Sequence, residues 1–192
     1  ICLQECFSSY KKHKKYFDEQ FKDYNSIFSP KSSLFLTDAG LAIFSKAPID
    51  EYHFYQYDNS EYSDYLAGKG VMAVRIGNMW LLNTHLQANY NESTDLYPSQ
   101  VKQLVELKEF VKKFVGNKVI LVGDLNVNIK NSMNRKCIKN LFSFMKLYSN
   151  PRISTNDDEE ALDHVWSNCG VKDVTVYPKL NLSDHRLIYI NL

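Results

Sequence analysis

Long apolar runs are missing from this 192-residue sequence. Runs such as Val119-Ile120-Leu121-Val122 are short and broken, far from the roughly 18 consecutive apolar residues that a membrane-spanning helix needs. Glycine and proline are scarce, 7 and 5 residues, which excludes collagen-like and low-complexity chains. Cysteine is scarce too. Cys2, Cys6, Cys137 and Cys169 have neither the C-x-x-C spacing of a zinc or redox motif nor the density of a disulfide scaffold. An excess of either charge is also absent: 23 basic residues face 22 acidic ones, a net +1, so there is little overall attraction for a polyanion. Only 4 of the basic residues are Arg, and base-edge and phosphate recognition leans on Arg. No internal repeat or linker divides the chain, and its length suits one domain of about 100–200 residues. Residues 1–192 are therefore read as a single domain.

What is present is 44% hydrophobic residues, with 13 Tyr and 11 Phe; an AT-rich coding sequence produces this Lys, Asn, Tyr and Phe excess without functional meaning. Residues 1–5 read as a short buried strand that ends on Glu5. Helical spacing covers 7–21, with a lysine-rich face around His13. Short strands are expected at 25–30 and 34–36, then at 41–44 and 52–57, with a tyrosine-containing polar loop at 58–69. The clearest β-hairpin pairs 71–76 with 79–85 across Gly77-Asn78, and His85 ends its second strand. Periodicity places a helix at 98–115, a strand at 118–123 and a second helix at 134–147. An acidic loop at 149–160 and strands at 162–166, 171–177 and 186–190 complete an α+β layered domain of two stacked sheets flanked by helices.

Glu5, His85, Asp124, Asn126, Asp163, Asp184 and His185 all fall at or beside predicted strand ends, where a scaffold holds side chains rigidly in one cleft. Phosphodiester cleavage asks for a divalent metal on oxygen ligands, a base for water, and donors for the charge that builds on phosphorus. Glu5 and Asp184 are hard carboxylates suited to Mg²⁺, and no Cys/His cluster suggests zinc. His185 can serve the water, with Asp163 fixing its tautomer. Lys69, between Gly68 and Gly70, can approach a phosphate closely. The aromatic segment Tyr52, Phe54, Tyr55, Tyr57, Tyr62 and Tyr65 reads mainly as core. A choline or membrane contact is its alternative.

Six motifs occur in order: Leu-Gln-Glu (3–5), Gly-Leu-Ala-Ile-Phe-Ser-Lys (40–46), Thr-His-Leu-Gln-Ala (84–88), Gly-Asp-Leu-Asn-Val-Asn (123–128), Leu-Asp-His-Val (162–165) and Ser-Asp-His-Arg (183–186). The sequence resembles the endonuclease/exonuclease/phosphatase superfamily over nearly its whole length, and within it the neutral and bacterial sphingomyelinases. The resemblance implies a DNase I-like four-layer α/β sandwich with two mixed sheets. It also implies that Glu5 is the Mg²⁺ ligand with Asp184 near the metal, Mn²⁺ or Co²⁺ being possible substitutes. His185 is implied as general base, Asp163 as its orienting carboxylate, and His85 and Asn126 as phosphate-contacting groups. Asp124 is implied to orient the nucleophile or assist the leaving group.

The implied activity is Mg²⁺-dependent hydrolysis of sphingomyelin to ceramide and phosphocholine by a monomer at a membrane surface. A nuclease acting on nucleic acid is the alternative, and a catalytically inactive fragment is another. The family opens with a strand bearing an Asn that is not seen before Ile1, so the first strand is expected to lie upstream. The N-glycosylation triplets at 91–93 and 181–183 leave the compartment open, and the resemblance mildly favours a secreted or membrane-associated protein.

Overall fold

The computed structural model describes residues 1–7, 11–31, 37–58, 60, 66–89, 96–180 and 183–192. The strand expected at 34–36, Tyr62 and Tyr65 lie outside the described residues. A six-stranded sheet forms the centre, in the order β4 (Glu51–Gln56), β5 (Gly70–Ile76), β6 (Met79–His85), β7 (Lys118–Asp124), β9 (Asp163–Ser167) and β8 (Lys146–Leu147). β6 and β7 run parallel and their neighbours antiparallel, so the sheet is mixed. Parallel strands need a long crossover, which α2 (Pro98–Lys112) supplies. The β5–β6 hairpin turns at Gly77-Asn78 as expected. Positive φ at Gly77 alone fits a type II′ turn.

Side-chain alternation sends each central strand's residues to two different cores. Val71, Leu82, Val119, Leu121 and Trp166 face α2 and α3 (Ser132–Leu141), packing on Leu104, Leu107, Ile138 and Phe142. Met72, Val74, Leu81, Ile120 and Val122 face the other way, onto a second layer. That layer consists of two antiparallel pieces. One is β1 (Cys2–Leu3), β3 (Ala42–Ser45) and β2 (Asn25–Phe28), with β3 in the middle; the other is the β10 (Asp173–Val176) and β11 (Ile188–Asn191) pair. Phe17 and Phe21, from and just beyond α1 (Lys11–Gln20), cover the outer face of β3. Four layers result, the DNase I-like arrangement.

Several boundaries differ from expectation for local reasons. The second helix starts two residues early because the Asn131 side chain accepts from the Met133 and Asn134 amides, an N-cap. It ends at Leu141, and residues 146–147, read as helix, pair with β9 instead. The helix expected to 115 stops at Lys112, though Phe114 stays packed on Trp80. Tyr55 stacks on Phe110, and the Tyr57 hydroxyl shares a hydrogen bond with Thr84, so these tyrosines belong to the core. Among the described residues no helix is long and apolar enough to cross a membrane.

Two buried polar side chains anchor backbone around the central sheet. Asn83 on β6 donates to the Leu3 and Ala42 carbonyls at 2.9 and 3.2 Å and accepts from Gln4 Nε2 at 2.6 Å, stapling β1 and β3 to the central sheet. His164 on β9 donates from Nε2 to the Val127 carbonyl at 2.9 Å, and its burial pushes the imidazole down to about 4.

Asn83→Ala strands these backbone acceptors and the Gln4 amide, and should cost about 3 kcal/mol of folding free energy in urea unfolding; a loss below about 1 kcal/mol would mean that the staple is dispensable. For His164, the folded state keeps the ring neutral down to about pH 4, while the unfolded chain protonates near about 6.5. The unfolded state thus binds more protons between those limits, and stability falls as pH drops through them. Between pH 7 and 5 the protein should lose about 2 kcal/mol more than His164→Gln does. Equal losses in the two proteins would refute the buried neutral ring.

Candidate active site

Strand register builds the site. His85 lies opposite Asp124 in the β6–β7 pairing, and Asp124 opposite Asp163 in the β7–β9 pairing. Paired residues of neighbouring strands project from the same face. Two residues before His85, Asn83 points at the second layer, so alternation aims His85, Asp124 and Asp163 towards that layer too, at the ends of their strands. Gly123 makes the approach possible. Its φ is +141°, and a Cβ there would run into the Thr84 carbonyl of β6.

His185 completes the row from the opposite layer, its Nδ1 2.8 Å from Asp163 Oδ2 and its Nε2 3.8 Å from Asp124 Oδ2. The loop read as plain acidic connection holds it there. Asn156 forms a β-bridge with His185, the Arg186 amide donates to the Thr155 carbonyl, and Thr155 Oγ1 accepts from the Leu162 and Asp163 amides. At the other end of the row His85 Nε2 stands 3.5 Å from Asp124 Oδ2 and 2.8 Å from Lys69 Nζ. Lys69 is almost wholly buried and also donates to the Leu86 carbonyl at 3.3 Å. It does not project from its glycine turn into solvent.

These environments drive the proton affinities apart. The Asp163 hydrogen bond, helped by the charges of Asp163, Asp124 and Asp184, overcomes burial and raises His185 to about 9. Burial, then the Lys69 charge, holds His85 well below the ordinary imidazole range, so it is neutral. Because Lys69 donates to its Nε2, the His85 proton sits on Nδ1, which has no hydrogen-bond partner among the described residues. Burial and the Asp163 charge raise Asp124 to about 7. A protonated imidazole, a neutral imidazole and a carboxyl that retains its proton near neutrality thus share one cleft, a separation of the kind that acid–base chemistry uses.

Asn126 adopts φ +51°. Its side-chain amide donates from Nδ2 to the Leu86 carbonyl at 3.0 Å, with no partner for the second N–H among the described residues, and its backbone N–H caps Asp124 Oδ1 at 2.9 Å. Glu5, exposed just beyond β1 with φ +56°, is fixed on both sides: the Cys6 amide donates to Gly40, and Leu3 accepts from Asn83. Asp184 is exposed and accepts from the Ser183 hydroxyl at 3.3 Å.

Among the described residues no three His, Cys, Asp or Glu side chains gather as a metal cage. Mg²⁺ rarely uses such a cage. One or two carboxylates, water and substrate oxygens suffice, and the exposed Glu5 carboxylate is a donor of that kind. The sequence reading missed Asn83, Gln100, Thr155 and Asn156; polar residues at apolar-periodic positions, Asn83 in β6 and Gln100 in α2, are the signal that marks the first two.

No family model matches the chain. It is 32% identical over 168 residues to a sphingomyelinase of Dictyostelium discoideum; the alignment takes in 67% of this chain and 37% of that protein, so the chain spans well under half of that relative's length. A beta toxin mutant from Staphylococcus aureus with bound magnesium ions superposes with a TM-score of 0.67 at 18% identity, over 100% of this chain and 82% of that one. D. rerio TDP2, complexed with a single-strand DNA product, superposes with a TM-score of 0.72 at 14% identity, over 99% and 84%. At such identities the two structures speak to fold, and they share the layered architecture found here. The chain is thus a member of the DNase I-like, or endonuclease/exonuclease/phosphatase, superfamily, with a sphingomyelinase among its sequence relatives.

Proposed function

We propose that this chain is a phosphodiester hydrolase whose substrate is sphingomyelin, released as ceramide and phosphocholine. One observation carries the reading: His185 is held against Asp163 at 2.8 Å, at the end of a row that continues through Asp124 and His85 to Lys69. In the neutral ring Asp163 accepts from Nδ1–H and leaves the Nε2 lone pair to take a proton from water, whose oxygen then attacks phosphorus. Asp124, raised to about 7, stands to give its proton to the departing alkoxide as the P–O bond breaks. The second N–H of Asn126 and the Lys69 ammonium beside His85 are placed to offset the charge on the five-coordinate phosphorus.

Glu5 would hold Mg²⁺, with Asp184 beside it. Bound there, the cation supplies Lewis-acid neutralisation of phosphoryl charge and lowers the proton affinity of nearby groups, His185 included. The choice of lipid over nucleic acid rests on the Dictyostelium sphingomyelinase, on the near-zero net charge and on the scarcity of Arg. A nuclease groove would be basic. On this reading the substrate is met at a membrane surface.

Phosphocholine release from sphingomyelin micelles, run beside nicking of supercoiled plasmid, tests the substrate: lipid cleavage alone is expected, plasmid nicking alone would make the protein a nuclease, and neither would leave an inactive scaffold. His185→Ala should lower kcat at least about 10²-fold with the fold retained by circular dichroism, and an unchanged rate would remove His185 as the base. Turnover should also vanish in excess chelator and return with added Mg²⁺; full activity in chelator would rule out the metal at Glu5.

A further inference from the structure

Gln100 has no part in the chemistry above, yet it is completely buried inside α2. Its Nε2 donates to two carbonyls from different parts of the chain, Gln87 at 2.9 Å and Asn126 at 3.0 Å. Its Oε1 accepts from the Tyr97 amide at 2.9 Å, so the carboxamide cannot turn over without losing all three bonds. Gln103, one helical turn on, accepts from the Gln87 amide at 2.7 Å. Gln87 lies two residues beyond His85, and Asn126 two residues beyond Asp124. The two exits joined by Gln100 are those of the parallel pair β6 and β7, where the ladder has ended. Beyond it the exits are joined by the Leu86 amide on the Asp124 carbonyl and by Asn126 Nδ2 on the Leu86 carbonyl.

We propose that Gln100 is a positioning residue, whose single carboxamide clamps the β6 and β7 exits at the spacing that lets His85 and Asn126 meet one phosphate. The proposal rests on the hydrolase reading for what the clamped groups do. The chemistry of the position is restrictive. Two carbonyls converge on one nitrogen, so the side chain must offer two N–H donors without a charge to bury. Glutamate would set a carboxylate against two carbonyl oxygens, and methionine fills the same volume with no donor at all. A clamp of this kind acts on rate through geometry, where a displacement of about 1 Å can cost about 10²-fold.

The test compares wild type, Gln100→Met, Asn126→Ala and the double variant, with amide hydrogen exchange as a readout that needs no substrate. In Gln100→Met the Gln87 and Asn126 amides should exchange at least about tenfold faster, while Leu121 and Val122 inside β7 keep their protection. With sphingomyelin micelles, kcat should fall between about 10-fold and 10²-fold at a KM within about twofold, and the same change should have little further effect in the Asn126→Ala background. Should Gln100→Met fail to fold, Gln100→Asn, whose amide is one methylene too short to reach both carbonyls, should show the same local loosening. Unchanged exchange at Gln87 and Asn126 would overturn the proposal whatever the activity. A kcat loss fully additive with Asn126→Ala would overturn the link to the phosphate. A wild type inactive on every phosphodiester would sink the hydrolase reading instead, and exchange would still decide whether Gln100 clamps the two exits.

Discussion

The parallel pairing of β6 with β7 is the constraint on which the site depends. A slip of one residue would turn His85 away from Asp124, because successive side chains face opposite sides of a sheet. The pairing is specified redundantly. Leu81 and Ile120 must face the second layer while Leu82 and Leu121 face α2, and Gly123 admits the Thr84 carbonyl where a side chain would block it. Because β9 joins β7 in register, the same alternation that sorts apolar residues into two cores also delivers Asp163. The row of His85, Asp124 and Asp163 is therefore a by-product of hydrophobic sorting, and needs no separate device until the strands end.

Where the strands end, polar groups take over, and Lys69, His85, Asp124 and Asp163 among them are buried. Burial of so many titratable side chains is costly unless each finds a partner, and the partners chosen here shape the reactivity. Asp163 pairs with His185 and makes it more basic; Lys69 pairs with His85 and makes it less so. Asp124 lies between the two imidazoles with a neighbouring carboxylate, and burial with that neighbour favours its protonated form. Two imidazoles of the same intrinsic chemistry are driven in opposite directions and the carboxyl between them is raised, the kind of separation that acid–base chemistry uses.

The sequence made the row legible because its members sit in short motifs at strand ends: Thr-His at 84–85, Gly-Asp at 123–124, Leu-Asp-His at 162–164 and Asp-His at 184–185. The β5–β6 hairpin and the crossover helix were legible for similar reasons, a two-residue turn and a regular apolar stripe. What stayed hidden was non-local. Residues 146–147 carry no strand signal of their own and pair with β9 only because that edge is available. Gly-Lys-Gly marks Lys69 as able to approach a phosphate, but nothing in it says that the side chain folds inward onto a histidine sixteen residues away. Asn83 and Gln100 were passed over because a single polar residue in an apolar pattern reads as noise until its carbonyl partners, brought from distant segments, are in place.

Asn83 and Gln100 play complementary parts at the two borders of the central sheet. On the side of the second layer, Asn83 fixes the Leu3 carbonyl and Gln4, and thereby the start of the short path to Glu5. On the helical side, Gln100 fixes the exits that carry Asn126 and follow His85. Apolar packing alone would leave both layers free to slide by fractions of an ångström, since it is non-directional and proportional to area. A buried amide with every donor and acceptor engaged has one acceptable position. Mg²⁺ ligation demands near-ideal geometry, and in-line attack on phosphorus needs close alignment. On the proposed reading, Glu5 and His185 from the second layer and His85, Asp124 and Asp163 from the central sheet can satisfy both only if the layers are locked in this directional way.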